Sequence, residues 1–272
     1  MTQSRPLIAS IRFQASGKLY DFDATGHDDL KRGDFALVET VRGRQLGEVI
    51  SVRPMHGDET KKNLKPIERR ATGGDLAIRQ QRKEQEKEAL ALTEKLTKEL
   101  NLPMKPVVAE YNFDGDQVTI LYTADNKPRH TNRLRRRLRS QLNVRVDLHR
   151  IGPRDEAKLL GGYGACGEPR CCSRFLCGFK PISIKMAKKQ GVSLNPASVG
   201  GMCGRLRCCL SYEHEQYVAA CKKLPRRRKW VKTPQGEGKI IDLLPLRDLV
   251  VVQIEDRRVE VSVEEIEVIP KK

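Results

Sequence analysis

Large side chains are scarce in this chain of 272 residues: aromatics make up 5% of it, and there is a single tryptophan. Cores with so few anchors stay small, which favours several modules over one large domain. Long apolar runs are missing too. No stretch approaches the roughly 18 residues of a membrane span, and residues 1–13 hold no apolar core followed by a small-residue cleavage site. The expectation is a cytoplasmic protein with no membrane insertion. Familiar catalytic machinery is also lacking. There is no Walker loop, no nucleophile elbow, no H-E-x-x-H and no clustered carboxylate and histidine set that would name a reaction. The chain is therefore expected not to be an enzyme.

Acidic residues are outnumbered, 35 against 52 Lys and Arg, leaving a net charge of +17. Such a field attracts polyanions, with RNA, DNA and acidic proteins as natural partners. Two basic runs stand out. One contains Arg133, Arg136 and Arg137; the other runs through Arg226, Arg227, Arg228 and Lys229 into Trp230, an aromatic able to stack on a base. The plainer reading of both runs is a solvated face or a flexible linker.

The pattern of apolar runs and breakers reads as four modules. Residues 7–13, 18–23, 34–40 and 45–52 are strand-like, with turns at Ser16-Gly17 and Arg42-Gly43, and make an N-terminal β module over residues 1–60. Proline and glycine vanish over 75–100, the longest helix. Its first half is polar almost all round and is expected to project. A hairpin turning at Asp114-Gly115, a basic helix over 129–142 and a strand over 144–151 complete an α+β domain at 64–152. Residues 153–224 carry the cysteines, with short helices at 181–190 and 212–224. After them, β-rich runs over 230–270 suggest a small barrel. The fold class is α+β and multi-modular.

Within 153–224, two stretches share one pattern, G-x-C-G-x-x-R-C-C, at residues 164–172 and again at 201–209. Cysteines in a reducing compartment are ligands or reactive groups before they are staples. Cys166, Cys171, Cys172, Cys203, Cys208 and Cys209 are the candidate metal ligands, and their thiolates are expected to converge. A segment so poor in apolar residues needs a metal to hold it. The Cys-x4-Cys spacing suits zinc as well as iron and sulfur. Two details tilt towards a 4Fe-4S cluster: a glycine after each first cysteine (Gly167, Gly204), which lets backbone N–H groups approach sulfur, and an arginine before each pair (Arg170, Arg207), which offsets negative charge. Neighbouring cysteines should face different ways, so one of each pair turns elsewhere, for instance into a core. Cys177, Cys221 and His214 stand outside the repeat and are read as packed or solvated.

The cysteine blocks, residues 154–162, 183–188 and 193–196, the run Leu210-Ser211-Tyr212-Glu213, and the N-terminal residues 38–43 and 47–49 resemble the RicT (YaaT) family. This family is described as stage 0 sporulation or regulatory iron–sulfur complex subunits. Residues 64–152 are similar to its polymerase-suppressor C-terminal domain. The resemblance implies a non-enzymatic adaptor that assembles with small helical partners of the RicA and RicF type and carries 4Fe-4S clusters. It also implies action with RNase Y in messenger RNA processing and turnover. The chain departs from that pattern at Cys177, where a glycine is expected, and in its more basic stretch over 222–232. The competing reading is a zinc-stabilised RNA- or ribosome-binding protein, gripping RNA directly through the two basic runs.

Overall fold

The computed structural model describes residues 6–14, 17–55, 63–126, 131–176 and 178–269. The Ser16 half of the expected first turn, the start of the expected basic helix, and Cys177 lie outside them. The chain divides into two compact units, residues 1–178 and 179–272. The division falls inside the cysteine-rich segment and places one cysteine repeat in each unit.

Unit one opens with five antiparallel strands: β1 (Leu7–Arg12), β2 (Tyr20–Asp23), β3 (Phe35–Thr40), β4 (Gly43–Pro54) and β5 (Ile67–Arg70), in the order β2-β1-β4-β3-β5. The sheet thus takes in residues up to 70. Its inner side gathers Ala9, Ile11, Phe22, Ala36, Val38 and Val49. Gly47 is needed for this packing, since a Cβ there would run into Ile11 and Phe13.

Next comes α1 (Gly73–Glu99), opened by a capping box in which Thr72 and Asp75 exchange hydrogen bonds. Strands β6 (Lys105–Tyr111) and β7 (Gln117–Thr123) form the expected hairpin, with Gly115 at φ +77° in its turn. Helix α2 (Thr131–Leu142) then crosses to β8 (Arg145–Arg150), which pairs with β7 in parallel. One core unites Ala89 and Leu96 of α1, Leu134 and Leu138 of α2, and Val118, Ile120, Tyr122 and Val146 of the sheet.

The first half of α1 does not project. Its inward stripe simply changes chemistry: Asp75, Arg79, Arg82 and Glu86 occupy the positions that Ala89, Thr93 and Leu96 continue. The Arg79 guanidinium lies 4.6 Å from the Phe35 ring, Arg82 donates to the Asp114 carbonyl at 3.0 Å, and the Tyr111 N–H donates to Glu86 at 2.9 Å. Polar side chains on this stripe find backbone and aromatic partners instead of an oily surface. Unit one ends with α3 (Pro153–Leu160) and the short α4 (Cys171–Arg174).

Unit two starts with α5 (Ile184–Lys189), α6 (Pro196–Val199), α7 (Cys209–Tyr212) and α8 (His214–Lys223). These build a small apolar cluster of their own around Ala187, Val199 and Leu210, with Ile182, Met186, Val192 and Leu206 against it. The segment is therefore not without a core, as its composition suggested. β9 (Trp230–Thr233), β10 (Gly236–Leu244), β11 (Leu249–Ile254), β12 (Arg257–Ser262) and β13 (Glu267–Val268) follow in the order β12-β11-β10-β9-β13. This is an antiparallel sheet ending in β12 and β13, which no pairing joins among the described residues, so closure into the expected barrel is not observed. Leu224, just past α8, enters its core beside Val231, Ile240, Val250 and Val252.

Candidate metal centre

The two cysteine repeats fold alike. In the first, the Gly164 N–H donates to the Glu168 carbonyl at 2.8 Å, Gly167 to Gly164 at 3.1 Å and Arg170 to Gly162 at 3.0 Å, with a bridge between Tyr163 and Pro169. In the second, each bond recurs 37 residues on. Gly201 donates to Arg205 at 2.7 Å, Gly204 to Gly201 at 2.9 Å and Arg207 to Val199 at 2.9 Å, and Gly200 bridges Leu206. The duplication in sequence is a duplication of a tight loop.

Each residue of the motif has a physical job in that loop. Gly167 and Gly204 have φ of +81° and +72°, a left-handed turn that an L side chain resists. Their open surroundings show that conformation, not space, selects glycine. At the leading glycine, a side chain on Gly164 would start 3.4 Å from Cys166 Sγ, and one on Gly201 would start 3.7 Å from Cys203 Sγ. Glycine therefore leaves one flank of each tip sulfur uncovered.

The arginines have a structural task beside the charge offset expected of them. Arg170 donates from Nε to the Tyr163 carbonyl at 3.3 Å and from Nη1 to Ala157 at 2.8 Å. Arg207 donates from Nε to Gly200 at 3.0 Å and from Nη2 to Ala197 at 3.1 Å. Both guanidinium forks clamp backbone carbonyls and close the loop. The side chains face their own chain because the preceding segment leaves helix-end carbonyls within reach.

The doubled cysteines separate by a helical step, not the extended alternation anticipated, because Cys171 and Cys172 open α4. Cys172 is buried, while Cys171 stays half-exposed and Cys166 is exposed on the loop. In the second repeat the helix begins one residue later: Cys208 caps α7 and Leu210 takes the buried place. Cys203, Cys208 and Cys209 all remain half-exposed. The two repeats thus present unequal sets of thiols, a difference that identical motifs conceal.

None of the seven described cysteines is joined in a disulfide. Among the described residues no three or more His, Cys, Asp or Glu side chains are grouped to hold a metal ion, so the expected convergence is not observed there. The donor chemistry nevertheless fits soft-metal binding: thiols at a loop tip and at the start of the next helix, with no histidine in either repeat and Glu168, at a position the second repeat fills with Arg205, as the one carboxylate. Cys221 is half-buried on α8, and the buried Nδ1 of His214 has no hydrogen-bond partner among the described residues.

The basic candidates lie apart from these loops in the chain. Arg133, Arg136 and Arg137 are exposed on α2, with Arg137 paired to Glu99 at 3.1 Å. Arg226, Arg227, Arg228, Lys229 and Trp230 are exposed as well, and Arg227 pairs with Asp242. This second run is no loose linker. The Arg228 N–H donates to the Ile240 carbonyl and Ile240 donates back to Lys229, each at 2.9 Å.

The class is set by two matches: residues 65–151 fit the family model described as the PSP1 C-terminal conserved region, and residues 181–224 that described as PSP1-like protein, third domain. Over 251 residues the chain is also 37% identical to the stage 0 sporulation protein YaaT of Bacillus subtilis (strain 168), spanning 92% of this chain and 90% of that protein. The chain belongs to the RicT (YaaT) family. No solved structure matches it. No helix among the described residues is long and apolar enough to cross a membrane.

Proposed function

We propose that the chain is a regulatory adaptor of the cytoplasm, sporulation-related as its relative's name implies. In this reading it binds iron–sulfur clusters and assembles with small helical partners of the RicA and RicF type. It then modulates messenger RNA processing and turnover by RNase Y without itself being an enzyme. The observation that carries the reading is the pair of matching loops, each built to hold a cysteine sulfur uncovered at its tip. A fold that only needed a buried small side chain would have no use for a left-handed glycine, an arginine clamp and a tip thiol left exposed in the first loop and half-exposed in the second.

Cys166, Cys171, Cys203, Cys208 and Cys209 would supply thiolates, with Cys172 the candidate least available because of its burial. A 4Fe-4S cluster, when bound, supplies an oxygen-sensitive cross-link through its sulfur ligands. The chain's own residues set the response. Arg170 and Arg207 hold the loops, and the neighbouring apolar surface is unusually open: Leu160, Tyr163 and Phe175 near the first loop, Met202 and Tyr212 near the second. Partners reading that surface would sense whether the loops are fixed.

The test is isolation without oxygen, followed by iron, sulfide and zinc analysis and a visible spectrum. Iron and sulfide in equal amounts with broad visible absorption are expected. A colourless protein with stoichiometric zinc would replace the cluster with the zinc-stabilised alternative.

A further inference from the structure

The second unit carries its charge unevenly. Residues 179–229 hold twelve Lys and Arg against two Glu, whereas residues 230–272 hold seven against nine acidic residues. Helix α5 contacts α8 and places Lys185, Lys188 and Lys189 at i, i+3 and i+4, away from the buried Ala187. Helix α8 ends in Lys222 and Lys223. The field of these side chains draws a polyanion towards the run that follows.

That run is shaped as well as charged. Arg228 has φ +71°, in the left-handed region that an L side chain resists. Backbone hydrogen bonds with Ile240 pin its main chain to β10, so little backbone freedom remains to be lost on binding. Soon after it, Trp230 is half-exposed on the outer side of β9, whose Val231 and Thr233 point inward. Lys239 stands directly across the ladder from it. The acidic neighbours are accounted for: Asp242 holds Arg227, while Glu237 and Glu267 lie opposite Lys232.

An acidic protein would need the cations alone. An open indole among cations offers in addition a flat platform for an unpaired base, which a duplex keeps stacked. We propose that Arg226, Arg228, Lys229, Trp230 and Lys239 form a docking face for single-stranded RNA. The choice of RNA over DNA rests on the messenger RNA setting of the proposed function.

The experiment uses the full-length protein. A short oligouridylate is titrated while the fluorescence of Trp230, the sole tryptophan, is followed. Anisotropy of labelled RNA is read for variants, and iron and sulfide are measured on the same preparation. Expected are a saturable quench and affinity that falls steeply with salt. The triple variant R226S/R228S/K229S should flatten the salt slope by about 0.7 for each phosphate it no longer neutralises. Trp230→Ala should weaken binding about ten-fold with the slope unchanged. No saturable quench, or variants that bind as the parent does, would overturn the proposal. Equal quenching by polyglutamate would replace it with an acidic protein partner, and equal binding of oligothymidylate would overturn the assignment to RNA. Because metal content is read separately, a missing cluster with RNA binding intact would defeat only the adaptor reading, and the converse only the docking face.

Discussion

Arg170 donates to the Ala157 carbonyl at 2.8 Å, tying the first cysteine loop to the body of α3. Arg207 makes the corresponding bond to Ala197, the second residue of α6. Lysine can supply charge here but not two N–H groups in a fixed fork. Arg170→Lys and Arg207→Lys should therefore loosen the loops almost as much as methionine does. Amide hydrogen exchange at Gly164 and Gly201 is expected to speed up on the order of ten-fold, matching about 1 kcal/mol of weakened bonding. Exchange unchanged in the lysine variants would show that charge alone holds the loops.

Gly167 and Gly204 test the turn itself. No atom would obstruct a methyl group at either place, so the cost of alanine there lies in its backbone alone. Gly167→Ala and Gly204→Ala should each destabilise the unit that contains them by about 1 kcal/mol in denaturant melts, and asparagine should recover part of that. Equal losses with alanine and asparagine would point to a steric origin instead.

The order of strands and helices was legible in the sequence because apolar spacing and turn chemistry carry it: Asp114-Gly115 marks its hairpin and Leu134 and Leu138 mark the buried face of α2. The polar first half of α1 was misread because hydrophobic periodicity cannot register a stripe of Asp75, Arg79, Arg82 and Glu86. Strand pairing of β5 with β3 was not visible, since Ile67 is its single buried residue. At the cysteine loops the glycines announced themselves, but the arginine clamps did not. Nor did the one-residue offset that buries Cys172 in one repeat and Leu210 in the other, because it arises from where each short helix starts.

Two carboxylates in unit one should pull stability in opposite directions with pH. Asp75 accepts from Arg69, from the Thr72 N–H at 2.7 Å and from the Thr72 hydroxyl at 2.8 Å, with Arg69 the main cause holding it well below the usual carboxylate range. A depressed group stabilises above its unfolded value, about 3.9, and that stability is lost as pH falls further. Asp75→Asn should therefore destabilise by about 2 kcal/mol at neutral pH and progressively less in acid.

Burial pushes Glu110 up despite Arg42 and Gln14 beside it. A raised group contributes most below its unfolded value, about 4.3, and loses that contribution as pH rises through the folded one. Glu110→Gln should thus gain on the parent as pH rises above the unfolded value of about 4.3. Chemical denaturation from acid to neutral pH checks both, and parallel curves for parent and variants would refute the assignments.

Burial also separates the cysteines by consequence. Cys172 lies 6% exposed whereas Cys166 is exposed at its loop tip, so a serine hydroxyl at the first must be desolvated and at the second need not be. Cys172→Ser should destabilise the metal-free protein by about 1 kcal/mol. Cys166→Ser should leave the metal-free protein unchanged and instead lower the iron bound after anaerobic isolation, as should Cys203→Ser in the matching loop. Melts of the chelated protein, set beside iron and sulfide content, measure the two effects separately. If Cys166→Ser and Cys203→Ser keep the full complement of iron, the tip sulfurs hold no metal, and the open flank that Gly164 and Gly201 provide must serve another ligand.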